Sequence, residues 1–323
     1  MCVEKRKQEI KDLLQRISNY DSAKDKTGYY QDKKNIKSLF ESTRNGLDES
    51  KIRIRLTVLD SMYSTQMRMR PYGLEDLTKA IWEKCHKNNG AKLKETLTAI
   101  AAGKELDNDD EAKEIYSLFC GKYGVEGNNA QAVSLISKYF YFETGYKFPI
   151  YDSNVREYLP ILYKYCGSEI PRKKANEQNT DDIIKRYIKT INEFFTNVIR
   201  YYDEWRYDSL DHLLWVVGKI LRGNLSLVLE ASDYKKITEQ DEYKKIEPNK
   251  NKASSAFIEN NISDYENYIN KLISILNDGG SDKVLNKKIA EIALKMMPSK
   301  KYGKIQNDLQ LGEDGGEGHP QGA

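Results

Sequence analysis

Between Ala132 and Tyr158 the chain reads AVSLISKYFYFETGYKFPIYDSNVREY, and this window holds the residues whose types and spacing could do chemistry. Lys138 lies on an apolar, aromatic-rich helical run; a break follows at Thr144-Gly145, and Phe148-Pro149-Ile150-Tyr151 then leads into Asp152. Pro149 keeps Phe148 out of helical geometry, so the approach to Asp152 is extended. A helix restarts directly after it, and the unpaired amides of a helix start point toward such a side chain. Asp152 therefore has two readings. It caps the helix, accepting from the amide of Asn154 or Val155, or it is a fixed carboxylate that stabilises a glycosyl cation and orients attacking water. Lys138 by itself reads as a solvated or phosphate-facing lysine.

Other chemistry finds little support. Cys2, Cys85, Cys120 and Cys166 lie more than thirty residues apart and His86, His212 and His319 are scattered, so spacing builds no metal site and the thiols read as reduced. His212, among Leu210, Leu213 and Leu214, reads as a structural histidine. No phosphate loop, nucleophile elbow or dinucleotide fingerprint occurs, and no cofactor is expected. With 52 Lys plus Arg against 49 Asp plus Glu the formal charge is +3, so any nucleic-acid site must be local. Lys51, Arg53, Arg55, Arg68 and Arg70 cluster around the single acid Asp60, and Arg172-Lys173-Lys174 lies beyond Lys164. Each cluster is a solvated helix face or a set of phosphate contacts.

The elements that must position these residues are helical. Seven prolines and apolar residues recurring at three and four leave no alternating strand, so the chain is expected to be all-α. The periodicity predicts helices carrying Ile10–Ile17, Ile36–Phe40, Ile52–Tyr63 (capped by Asp48 or Ser50), Leu74–Ile81, Leu93–Ile100 and Ile115–Phe119. Further helices are expected over 130–142, 153–165, 181–202, 209–221, 255–276 and 283–297, with a Gly-punctuated turn over 121–129. The Lys- and Glu-rich stretch 235–252 reads as a solvated loop or frayed helix. The acidic, Gly-rich end, 303–323, reads as disordered. The longest apolar run near the middle, Leu213–Val217, is too short for a membrane span and the first residues are charged, which predicts a cytoplasmic protein without membrane contact.

FPIYDSNVREYL resembles the catalytic-aspartate segment of the helix-hairpin-helix DNA glycosylase superfamily: an apolar extended run, Asp, two small or polar residues, Val, then a basic residue. The helix from Ala130 and the turn Gly121–Gly127 occupy the place of the family's helix and hairpin, so Asp152 matches the catalytic Asp. VLDSMYSTQMRM, Val58–Met69, is similar to the early family helix whose glutamine fills the gap left by a flipped base; Gln66 or Tyr63 matches it. LDHLLWVVGK, Leu210–Lys219, resembles the late helix of divergent prokaryotic members. Two features depart from the pattern. The segment Tyr123-Gly124-Val125-Glu126-Gly127 lacks the hairpin's Pro and has one extra residue between its glycines, and Ser134 stands where lyase members carry lysine, with Lys138 one turn on.

The resemblance implies a two-lobed helical fold with a degenerate hairpin. One lobe covers 51–148, and the other combines 1–50 with 149–302. It implies a monomeric, monofunctional enzyme that flips a damaged or modified base from double-stranded DNA and hydrolyses its N-glycosidic bond, a base-excision activity suited to repair or to antiviral defence. Asp152 would assist departure of the base, with Lys138 as a displaced catalytic lysine. DNA would meet Tyr63, Gln66, Arg53, Arg55, Arg68, Arg70, Gly124, Gly127, Ser134, Asn154 and Arg156. Phe140, Phe142 and Trp215 would wall the base pocket, although aromatics at helical spacing also build cores; the same holds for Tyr139, Tyr141, Tyr202, Trp205 and Tyr207. The alternative is a non-catalytic helical module that binds DNA or protein and keeps the fold.

Overall fold

The computed structural model describes residues 2–20, 29–63, 65–86, 91–106, 109–171, 180–247, 258, 260–276 and 281–297. The expected tail, 303–323, and the cluster Arg172-Lys173-Lys174 lie outside the described residues. Within them the chain is all-α: fourteen α-helices, no β-strand, and one antiparallel bridge pairing Tyr123 with Ala130. The helices are α1 (Val3–Ser18), α2 (Tyr29–Ser42), α3 (Glu49–Tyr63), α4 (Gly73–His86), α5 (Ala91–Ala101), α6 (Asp109–Cys120) and α7 (Val133–Glu143). They continue with α8 (Ser153–Tyr165), α9 (Thr180–Glu193), α10 (Arg206–Leu221), α11 (Ala231–Thr238), α12 (Asp241–Ile246), α13 (Ile262–Ile275) and α14 (Ser281–Met296).

Two helices are buried on nearly every side and act as hubs. On α7 every residue from Leu135 to Phe142 is buried, as a helix apolar all round must be. It is surrounded by α2, α3, α5 and α6, while α10 is surrounded by α1, α8 and α14. The helix periods predicted their inward faces: Ile10, Leu13, Leu14 and Ile17 of α1 and Ile52, Leu56 and Leu59 of α3 are all buried. The expected cap of α3 is Asp48, whose Oδ1 accepts the Lys51 amide at 2.8 Å.

One segment departs from expectation, and a second takes one of its two expected forms. The long helix predicted over 181–202 stops at Glu193 and widens into a π-type turn, Phe194–Val198, where the Ile199 amide bonds the Phe194 carbonyl at 3.0 Å. Phe194 and Phe195 are both buried in this turn. The stretch 235–252, expected to be a solvated loop or frayed helix, is helical over most of its described part, with most of its charged residues at the surface. Its few apolar residues, Ile237, Tyr243 and Ile246, are all buried, and the Tyr243 hydroxyl donates to the Gly223 carbonyl at 3.0 Å.

Candidate active site

The segment ahead of Asp152 is clamped from both neighbouring helices. Ser137, wholly buried on α7, accepts the Tyr151 amide on its Oγ at 3.0 Å and lies 2.9 Å from the Ser134 carbonyl. From α9 the Tyr187 hydroxyl donates to the Ile150 carbonyl, and its ring packs edge-on against Tyr151 at 4.7 Å. Non-helical backbone inside a protein must have its polar groups met in this way. Asp152 follows with extended backbone, φ −145° and ψ −174°, as the N-cap of α8.

The Asp152 carboxylate divides its two oxygens. Oδ1 accepts the Val155 amide at 3.1 Å, while Oδ2 lies 3.5 Å from Lys138 Nζ. The capping role is therefore real but uses one oxygen, and the other faces a cation. Lys138 is 3% exposed. Its ammonium donates to Ser134 Oγ at 2.7 Å and lies 5.2 Å from the centre of the Tyr63 ring. The solvated-lysine reading of Lys138 does not hold, because all three of these partners are side chains of the site.

Behind this pair stands a second set of charges. Lys33 of α2 is buried and bonds Asp208 of α10, which also receives the Tyr141 hydroxyl. Burial alone would lower the Lys33 pKa, but the charges of Asp208 and Asp211 outweigh it and hold the lysine above its ordinary value. Burial would likewise raise Asp208, and the Lys33 charge with the two hydrogen bonds brings it below the usual carboxylate range. Asp211, one turn further along α10, has no such bond. Burial pushes it up, and the nearby Asp152 and Asp208 add repulsion that Lys33 and Lys138 only partly offset, leaving it at about 7. Tyr187 feels Asp152 and Asp211 as well, and burial with these charges raises its hydroxyl well above the normal value.

Of the residues expected from the sequence, the fold brings together Asp152, Lys138, Ser134 and Tyr63. Trp215 is half-buried on α10, and Lys219, 5.5 Å over its ring, is within the field of Asp152. Asn154 is packed against Gly218, where a Cβ would come within 2.6 Å of its Oδ1, and Arg156 is half-buried beside Tyr151. Gln66 and Arg68 are exposed on a turn after α3 that the buried Asp60 fixes by accepting the amides of Met67 (2.8 Å) and Arg68 (3.1 Å). Gln66 takes a left-handed conformation, φ 63°. Arg70 is half-buried at the end of this turn, Met69 and Tyr72 beside it are exposed, and Val125 reaches the Pro71 carbonyl from the neighbouring turn.

Several expectations need correction. Arg55 is 0% exposed: it bonds Glu143 at 2.7 Å, the Phe40 carbonyl at 2.6 Å and Thr43 Oγ1 at 2.8 Å, so it packs the interior and touches no phosphate. Arg53 is at the surface but pairs with Glu75 at 2.5 Å. Phe140 and Phe142 are buried core residues, packed on Phe148 (5.4 Å) and Phe40 (5.6 Å), not pocket walls. In the hairpin-like turn the Gly124 amide bonds Asp76 Oδ2 at 3.0 Å and the Val125 amide bonds the Pro71 carbonyl at 3.2 Å. Those two donors are taken up internally. Gly127, φ 81°, stays in open space. His212 is buried with Nε2 3.3 Å from the Tyr30 hydroxyl, in keeping with a structural role.

Sequence reasoning missed Ser137, Tyr187, Lys33, Asp208 and Asp211. A serine within the apolar run of α7 was the one local signal; the others gain their meaning from partners distant in the chain. Among known proteins, no family model matches this chain, and no curated protein or solved structure is significantly similar to it.

Proposed function

We propose that the protein is a DNA base-excision glycosylase that hydrolyses the N-glycosidic bond of a damaged or modified base flipped from duplex DNA. The observation that carries this reading is the divided Asp152 carboxylate. One oxygen is locked by the helix amide and the other is turned toward Lys138 in a clamped, non-helical segment. A charge fixed in this way needs no reorganisation when a sugar cation develops beside it, which is how preorganised electrostatics lower a barrier. The paired Lys138 keeps Asp152 company in its resting state, and Tyr63 and Trp215 offer flat faces on which an extruded base can stack. Arg68 and Arg70, beside the exposed Met69 and Tyr72, give the DNA a basic surface with apolar side chains of the kind that enter between base pairs.

Purified protein incubated with duplexes bearing different lesions should generate abasic sites from at least one of them, and Asp152→Asn should abolish release while DNA binding persists. Equal activity in the variant would overturn the role of Asp152. A second reading, a non-catalytic helical binding module, is favoured by the internal use of the Gly124 and Val125 amides, which removes the phosphate anchor of a working hairpin. DNA binding without release from any duplex would select it.

A further inference from the structure

The departing base also needs a proton, and the reading above supplies none. We propose that Asp211 is the general acid of this site, giving its carboxyl proton to the base nitrogen as the N-glycosidic bond breaks. The inference rests on the glycosylase reading and adds to it a residue outside the resemblance.

The geometry comes from α10. Leu210, His212 to Leu214, Val216 to Gly218 and Ile220 are buried, whereas Asp211, Trp215 and Lys219 are half-buried at a four-residue spacing. Residues so spaced lie on one face of a helix, along the stretch of α10 between Asp208, which is bonded to Tyr141 of α7, and Gly218, which packs against Asn154 of α8. The charges of Asp152, at the start of α8, and of Lys138 both act on Asp211. Trp215, one turn along from Asp211, presents a ring against which a base can lie.

Every charged or titrating neighbour has a defined part. Lys33 from α2 is committed to Asp208; Lys138 from α7 to Asp152 and Ser134; Lys219 stands by Trp215 and Tyr63 by Lys138. Tyr187 from α9 is committed to the Ile150 carbonyl, and His212 lies beside Tyr30. Asp211 is the carboxyl of this set that burial and two neighbouring carboxylates push up, to about 7, which lets it carry a proton near neutral pH.

The step balances without a further reactant. The electron pair of the C1′–N bond leaves with the base, whose nitrogen takes the Asp211 proton. Asp152 balances the sugar cation. Water then adds its oxygen to C1′ and returns a proton to Asp211, leaving free base and an abasic site.

The test has two arms. In the first, carboxyl NMR of ¹³C-aspartate-labelled protein, without DNA, should show one carboxyl titrating near pH 7. That signal should vanish in Asp211→Asn, move down in Asp152→Asn and move up in Lys138→Met. If every aspartate is ionised by about pH 5.5, the proposal fails whatever the activity. In the second arm, single-turnover release is followed on duplexes carrying 8-oxoguanine, uracil, thymine glycol or mispaired adenine. Asp211→Asn should slow release at least about 100-fold at pH 6, and the wild-type rate should fall above pH 7. Release at the wild-type rate by Asp211→Asn, with Asp152→Asn inactive, overturns the proposal and leaves the glycosylase reading standing. Activity in Asp152→Asn, or no release from any duplex, overturns that reading and the acid role with it, while the titration still reports where the proton sits.

Discussion

Lys138 Nζ and Asp152 Oδ2 lie 3.5 Å apart although one residue sits within a buried helix and the other begins the next. An ammonium already shared between a carboxylate and the Ser134 hydroxyl is a poor nucleophile, since attack on a sugar carbon needs its lone pair. Lys138→Met is therefore expected to slow base release by about tenfold or more, about 1.4 kcal/mol of transition-state stabilisation, by loosening Asp152. Borohydride should trap no covalent complex between wild-type protein and an abasic duplex. A trapped complex that disappears in Lys138→Met would instead make the lysine the nucleophile and the enzyme a lyase.

Asp211 makes stability depend on pH in the direction opposite to a salt-bridged aspartate. Its folded pKa of about 7 lies above the unfolded one, so the folded state binds the proton more tightly. This contribution is fully present below about pH 4 and is lost as pH rises toward 7, by up to about 4 kcal/mol before solvent access at the half-buried side chain reduces it. Asp211→Asn should therefore be more stable than wild type at pH 8.5, with the gain shrinking at pH 5. Denaturant unfolding at the two pH values measures this, and a variant that gains nothing at pH 8.5 would show that the carboxylate is not confined.

The basic residues after α2 divide by burial, and two substitutions should separate them. Arg55→Ala strands Glu143, whose carboxyl burial already raises despite the opposing charge of Arg55, and should cost about 3–5 kcal/mol of stability. Its effect on DNA affinity should be negligible once folding is restored at lower temperature. Arg68→Ala should stay within about 0.5 kcal/mol of wild-type stability. It should weaken DNA binding and reduce the salt slope by about one, the sign of a lost phosphate contact. Calorimetry and binding titrations at two salt concentrations would expose a reversal of these roles.

What the sequence made legible was local. Pro149 and the helix restart after Asp152 depend on neighbours a few residues away, and α8 runs over the predicted Ser153–Tyr165. The inward stripes of α1 and α3 follow from helical period alone. What stayed hidden depends on distant pairs. Lys33 is fixed by Asp208, 175 residues later, and the fate of Arg55 by Glu143, 88 residues later. A basic residue beside a wedge-like turn gives no sign, in sequence, of whether it faces solvent or a buried glutamate. Tyr141, a candidate pocket wall by its sequence position, acts through its hydroxyl on the buried Asp208 carboxylate, and Tyr187, which nothing local marks out, acts through its hydroxyl on the Ile150 carbonyl.

Gly218 ties the fold to the site, and its substitution should harm activity more than stability. It lies where α10 crosses α8, and a Cβ there would meet Asn154 Oδ1 at 2.6 Å and a Tyr158 ring carbon at 2.8 Å. Overpacking of this kind costs about 1–3 kcal/mol, against which replacing glycine by alanine within a helix returns about 1 kcal/mol. The net loss should be small. To relieve the contact, however, the Asn154 amide or the start of α8 must shift, and Asn154 is only two residues from Asp152, whose Oδ2 sits at a set distance from Lys138. Misplacement of a reacting group by about an ångström can lower a rate 100-fold. Gly218→Ala should thus lose roughly that much base release with little change in melting temperature, and Asn154→Ala in the same chain should recover part of it. Undiminished release by Gly218→Ala would mean that the spacing of α8 and α10 does not set the position of Asp152.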